Sequence, residues 1–157
     1  MVCALGMAER GEVLWNGTPI GELGEEYRAA LSYVGHLNGI KGELTALENL
    51  EAARALAPTR NDAAALDVLA EAGLAGYEEI PCRYLSAGQK RRVSIARLLL
   101  SACPLWVLDE PATALDSKGV EAFQRLVERH AASGGMVLVT SHRALAFGAA
   151  STRTLEL

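Results

Sequence analysis

The segment Leu105-Trp106-Val107-Leu108-Asp109-Glu110-Pro111 carries the strongest chemical signal in the chain. Four apolar residues followed by two carboxylates read as a buried strand. Such a strand delivers both acids to the carboxyl edge of a parallel sheet, where open α/β sheets bind ligands. An Asp at that tip can hold the water shell of a Mg²⁺ bridging nucleotide phosphates. The Glu after it can polarise an attacking water as a general base. Asp-Glu-Pro is also good turn chemistry, so the pair taken alone fits a capped strand end equally well. Upstream, Leu85-Ser86-Ala87-Gly88-Gln89-Lys90-Arg91-Arg92 opens a helix. Ser86 and Gly88 would lie at its N-terminus, where unpaired N–H groups and the helix dipole favour phosphate. Plain N-capping explains the same residues. Downstream, a second apolar run ends in Thr140-Ser141-His142. Its His would sit at a neighbouring strand tip near Asp109 and Glu110; a His in a surface turn is the alternative. Ala114-Leu115-Asp116 follows the carboxylate pair, and Asp116 could make a polar contact across an interface.

The elements that must position these residues follow from patterning. Residues 12–15 read as a short strand closed by the Asn16-Gly17 turn signal. Residues 22–30 are polar and fit a turn or short helix. Residues 31–34 form a second predicted strand ending at Gly35, followed by a loop over 36–43. Thr45-Ala46-Leu47-Glu48 is a capping box, so a helix is expected from there to about residue 57, before Pro58. Asn61 or Asp62 can cap the next helix, with an apolar stripe at Leu66, Leu69 and Ala70 and a stop at Gly73. Residues 81–85 are a connector. Ser86-Ala87-Gly88-Gln89 is a second capping box, opening a helix through about residue 101. After Pro104 come the strand 105–108, a helix over 118–132 ended by Gly134-Gly135, and a strand over 136–139 that reads as buried on both faces. Residues 152–157 fit a final edge strand. The alternation of strand, helix and strand in the second half implies a parallel sheet with crossover helices.

Composition narrows the function. The 157 residues carry 15 Lys+Arg against 19 Asp+Glu, net −4, which argues against coating DNA, RNA or an anionic membrane. Aromatics at 5% argue against stacking platforms for single-stranded nucleic acid. Cys3, Cys82 and Cys103 are odd in number, widely spaced and without a CxxC, which fits reduced thiols and neither a disulfide framework nor a zinc site. No apolar run approaches the ~20 residues of a membrane helix. The N-terminus lacks the basic region of a signal peptide.

Four motifs in order resemble those of ATP-binding-cassette (ABC) ATPases. LSAGQKRRVSIARLLL is similar to the signature motif and its helix, LWVLDEP to the Walker B strand with its catalytic Glu, ATALD to the D-loop, and VTSH to the switch-His strand. GEVLWNG, GHLNGIKGELTALENL and AGLAGYEEIP further resemble the ATP-binding subunits of bacterial haem exporters of cytochrome c maturation, the CcmA type, over residues 11–157. The resemblance implies a partial P-loop NTPase (ABC ATPase) fold, α/β, with a parallel sheet core and a small helical subdomain over residues 44–102. It implies ATP and Mg²⁺ as ligands, with Asp109 organising Mg²⁺ through water, Glu110 as general base, and His142 sensing the γ-phosphate. Ser86, Gly88 and Gln89 would touch the γ-phosphate of ATP held by an opposite subunit, and Asp116 would couple the two sites. His36 stands where the Q-loop Gln is usual, and Ala87 replaces the first Gly of LSGGQ. Implied partners are membrane-spanning transporter subunits and a second ATP-binding subunit, either a second copy or an intact partner. The implied place of work is the cytoplasmic face of the inner membrane.

One family motif has no counterpart. The phosphate loop G-x-x-x-x-G-K-[ST] supplies N–H groups and a Lys to the β/γ phosphates. Lys41, Lys90 and Lys118 are the only lysines, and none stands in such a loop. Residues 1–10 most resemble the tail of the helix that follows the loop in the family. The expectation is therefore an ABC ATPase domain truncated at its N-terminus, inactive by itself, with apolar surface exposed. Three readings compete. The first is an ATPase subunit energising haem export. The second is a non-hydrolytic partner lending its signature motif to an intact ATPase. The third is an ATPase of another ABC system, of which the DNA-repair type fails because no sustained heptads are present.

Overall fold

A three-stranded parallel sheet positions the carboxylate edge. The computed structural model describes residue 3 and residues 11–57, 63–148 and 152–154. Among the described residues the first elements form a hairpin, β1 (Leu14–Trp15) against β2 (Thr18–Pro19). Asn16 and Gly17 both take positive φ, the conformation a two-residue type I′ turn requires. Two short helices follow, α1 (Ile20–Leu23) and α2 (Glu25–Ala30), where the sequence left turn and helix open. Tyr27 of α2 is buried and meets Trp15 edge-on, with ring centroids 5.8 Å apart.

The sheet order is β3 (Leu31–Val34), β4 (Leu105–Asp109), β5 (Met136–Thr140), all parallel. In register, Val34 pairs with Leu108, and Asp109 with Thr140. The side chains of Leu105, Trp106, Val107 and Leu108 are buried on both faces, as the continuous apolar run implied. β5 differs from expectation. Met136 is 50% and Leu138 37% exposed, and Tyr33 on β3 is 43% exposed. Side chains two apart share a face. Among the described residues β4 is the one strand partner of β5, and no described element covers its Met136–Leu138 face. The opposite face packs under α6 (Ser117–Ala132), where Phe123, Leu126 and Val127 meet Trp106 and Leu108.

Between β3 and β4 lie the helices. α3 (Ala46–Leu56) starts on the Thr45/Glu48 capping box, with both reciprocal bonds formed. α4 (Ala65–Glu71) starts after Ala64, with no side-chain cap bond; Asn61 and Asp62 lie outside the described residues. Its buried positions are Ala65, Val68 and Leu69, whereas Leu66 and Ala70 face solvent. The apolar stripe is thus rotated from the predicted one, because Val68 and Leu69 together fill the space beside Leu50 and Leu74. A 3₁₀ turn at Cys82–Tyr84 leads to α5 (Ala87–Ala96), which tightens into 3₁₀ over Arg97–Leu100. α5 is shared between two cores. Val93 and Ala96 face the helical cluster, and Ile95 faces the sheet cluster. Residues 152–154 form no strand, contrary to the predicted edge strand, and 155–157 lie outside the described residues.

Candidate functional site

At the carboxyl edge the sheet brings Asp109, Glu110 and His142 together. Asp109 is the last residue of β4, and its Oδ1 accepts a 2.7 Å hydrogen bond from the Thr140 hydroxyl of β5. Glu110 has a φ of 50°. That left-handed step is costly for a residue with a side chain. It is held by the Glu110 N–H, which donates to both the carbonyl and the hydroxyl oxygen of Thr140 at 3.2 Å. His142 follows β5, and its Nε2 lies 3.6 Å from Glu110 Oε1. The Glu110 side chain is 18% exposed and that of His142 95%. A carboxylate sheltered from bulk water beside an exposed imidazole suits a general base with a polar neighbour. Asp109 and Thr140 offer hard oxygen donors at the strand tips. Among the described residues no three His, Cys, Asp or Glu gather as a metal cage. Mg²⁺ is held through one or two carboxylates, waters and substrate phosphates, and Asp109 is the carboxylate that ends β4.

The N-terminus of α5 lies against the segment that follows the carboxylates. Ser86 Oγ accepts from the Gln89 N–H at 3.2 Å, and Gln89 Oε1 accepts from the Ser86 N–H at 2.8 Å. The capping box is thus formed, and the N–H groups of Ala87 and Gly88 have no intrahelical partner. Gly88 has a packing reason to be glycine. A Cβ there would sit 2.8 Å from the Ala114 carbonyl oxygen. Ala114 itself has φ 65°. Asp116 caps α6 through the Gly119 N–H at 2.9 Å and meets Arg92 Nη2 at 2.8 Å. The Gly119 N–H bond, then Arg92, hold its carboxyl below the usual carboxylate range. His36 is exposed two residues beyond β3, at the same edge of the sheet as Asp109. Among the described residues no hydrogen bond joins Ser86 or Gln89 to the carboxylate pair.

Two residues in this region were not singled out by the sequence. Thr140 is the partner of both acids, and its place directly before Ser141-His142 was its signal. Arg91 is 3% exposed. Burial pulls its guanidinium pKa down, while Asp109 and Glu110 push it up. Three consecutive basic residues gave no sign of which one turns inward.

The sheet order, the crossover helices and the acid pair at the carboxyl edge define a nucleoside-triphosphatase-type α/β domain. The family model described as ABC transporter matches residues 1–113. The chain belongs to the ABC transporter family, in its group of ATP-binding subunits. It is 47% identical over 158 aligned residues to the cytochrome c biogenesis ATP-binding export protein CcmA of Nitrosomonas europaea, covering 100% of this chain and 74% of that protein. The protein of the same name from Vibrio cholerae is 48% identical, with 91% and 70% covered. Among solved structures, a dimeric ATP-binding cassette in a post-hydrolysis state bound to ADP and Pi superposes with a TM-score of 0.75. It is 29% identical and matched over 90% of this chain and 66% of its own length. A putative ABC transporter ATP-binding protein from Pyrococcus furiosus has a TM-score of 0.76 at 19% identity, a likeness of fold. The fold is the ABC ATPase, P-loop NTPase fold with a parallel core sheet and helical subdomain. The chain thus spans about three quarters of the first relative and just under two thirds of the solved cassette.

Proposed function

We propose that this chain is the ATP-hydrolysing subunit of an ABC transporter working in c-type cytochrome biogenesis, with haem as the transported species. One observation carries the reading: Asp109, Glu110 and His142 converge at the carboxyl edge of the sheet in a chain 47% identical to a cytochrome c biogenesis export ATPase. Residues 1–157 form one ABC ATPase domain, with residues 44–102 as its helical subdomain. Glu110 takes the proton of the hydrolytic water, and its shelter favours that role. Asp109, with its Thr140 hydroxyl partner, would hold Mg²⁺ through water, and the ion would supply charge neutralisation at the phosphates. His142 reaches the γ-phosphate. Ser86, Gly88 and Gln89 present the N-terminus of α5 to ATP held by a second ATP-binding subunit, and Asp116 couples the sites. His36 takes the Q-loop position. Membrane-spanning subunits place the protein peripherally at the cytoplasmic face of the inner membrane; among the described residues no helix is long and apolar enough to cross a membrane.

A second reading is a signature-motif donor to an intact ATPase, carried by Ser86 and Gly88 at the capped N-terminus of α5. Residues 1–157 by themselves are then expected to bind MgATP weakly. Gene deletion separates the readings. Loss of c-type cytochromes on deletion, restored by the wild-type gene and not by Glu110→Gln, supports hydrolysis at this chain's own site. Restoration by Glu110→Gln supports the donor role, and unchanged cytochrome content on deletion refutes both.

A further inference from the structure

Arg91 sits in the second turn of α5 with its guanidinium in the sheet edge. Nε donates to the Pro111 carbonyl at 3.0 Å. Nη1 donates to the Gly35 carbonyl at 2.8 Å and to Asn38 Oδ1 at 3.4 Å. Nη2 donates to the carbonyls of Asp109 at 2.9 Å and Glu110 at 2.8 Å. A guanidinium has five N–H donors in a rigid fork, and here each has an acceptor. Four of the five acceptors are main-chain oxygens, so the contact fixes backbone and does not occupy the carboxylate groups.

We propose that Arg91 is a positioning residue for hydrolysis: it clamps the left-handed turn at Glu110 to α5 and to the loop that carries His36. The clamp spans three segments. Gly35 and Asn38 flank His36, and Asp109 to Pro111 carry both acids. Ser86, five residues earlier on the same helix, lies about 7.5 Å along its axis from Arg91. A displacement of the α5 N-terminus therefore reaches the Glu110 turn through one side chain. The left-handed φ of Glu110 is where the clamp acts: Thr140 holds the Glu110 N–H, and Arg91 holds the carbonyls on either side of the strained step. Lysine offers three donors from a single point and cannot satisfy five diverging acceptors. The proposal rests on ATP hydrolysis at this chain's own site.

The test uses the transporter assembly containing this chain, with Arg91→Lys and Arg91→Met in parallel. ATP turnover and amide hydrogen exchange are measured on the same samples. The expected result is a kcat lowered about tenfold or more with KM for ATP little changed, since small misplacement of a catalytic group costs rate more than binding. Exchange is expected to rise at the Thr113 and Leu115 amides, which bond to the Glu110 and Ala112 carbonyls, while Leu74 in the helical core stays protected. A wild-type kcat in both variants overturns the proposal. So does a loss of protection at Leu74 together with the rest, which would make Arg91 a fold-stabilising residue only. If one variant does not assemble, the other decides. If the wild-type assembly does not turn over ATP, the function reading fails. The exchange pattern at Thr113 and Leu115 then decides the clamp by itself.

Discussion

Replacing Gly88 by alanine separates packing from ligand binding at the start of α5. The added Cβ would lie 2.8 Å from the Ala114 carbonyl oxygen, several tenths of an ångström inside ordinary contact. Relief by moving Ala114 is hindered. Its φ is already 65°, and the turn around it is pinned by Thr113 N–H to Glu110 O at 3.1 Å and Leu115 N–H to Ala112 O at 3.2 Å. Relief by moving α5 strains the Arg91 and Arg92 contacts one turn further on. Overpacking of this kind costs about 1–3 kcal/mol. The alanine's better helix propensity returns less than about 1 kcal/mol. At this chain length each kcal/mol shifts Tm by roughly 2–4 °C. Gly21→Ala is the control, because nothing lies within 4 Å of a Cβ there and its φ is not positive. The assay is urea denaturation without nucleotide, followed by tryptophan fluorescence. The reasoning predicts a lower midpoint for Gly88→Ala and an unchanged or higher one for Gly21→Ala. An unchanged midpoint for Gly88→Ala would refute it and leave ligand approach as the reason for the glycine.

Two further expectations concern polar groups away from the site. Asn49 is buried and accepts from the Lys41 N–H at 2.8 Å while donating to the Lys41 and Thr45 carbonyls at 2.9 Å. Asn49→Ala should lower stability by about 1–3 kcal/mol for the unpaired groups left behind, and a denaturation curve matching the wild type would contradict this. His130 stacks on Trp106 with centroids 3.8 Å apart and rings 7° from parallel, beside a cleft of about 410 Å³ at the amino end of the sheet. Burial lowers its pKa, against the opposing pull of Pro104 and Met136. The unfolded chain then binds the extra proton first, so stability present above the ordinary His value of about 6.5 falls as pH drops through it toward the folded pKa. His130→Phe keeps a ring and removes the titration, so the wild type should lose ground to it between about pH 8 and pH 5. Parallel pH dependences would show that His130 does not contribute.

The parts that were legible in the sequence are those set by neighbours along the chain. The two capping boxes fixed the starts of α3 and α5, because both partners of each box lie within four residues. The run Leu105–Leu108 announced a strand buried on both faces, and its two acids fell at the sheet edge. Burial of β5 was misread, because an apolar run does not report how many neighbours a strand will have, and among the described residues β5 has one. The stripe on α4 was misread by its rotation, which Leu50 and Leu74 decide from other segments. Arg91 was invisible for the same reason. Its acceptors lie 18 to 56 residues away, and only the fold brings them to one guanidinium.

Steady-state MgATP turnover by the transporter assembly, comparing wild type with Glu110→Gln, bears most directly on the function proposed here. Gln keeps the shape of the side chain and removes its basicity. Loss of general-base catalysis is worth about 10²–10⁴-fold, so turnover should fall by at least the lower figure while assembly with the membrane subunits is retained. Equal turnover by the two proteins would contradict hydrolysis at the Asp109–Glu110 edge of this chain.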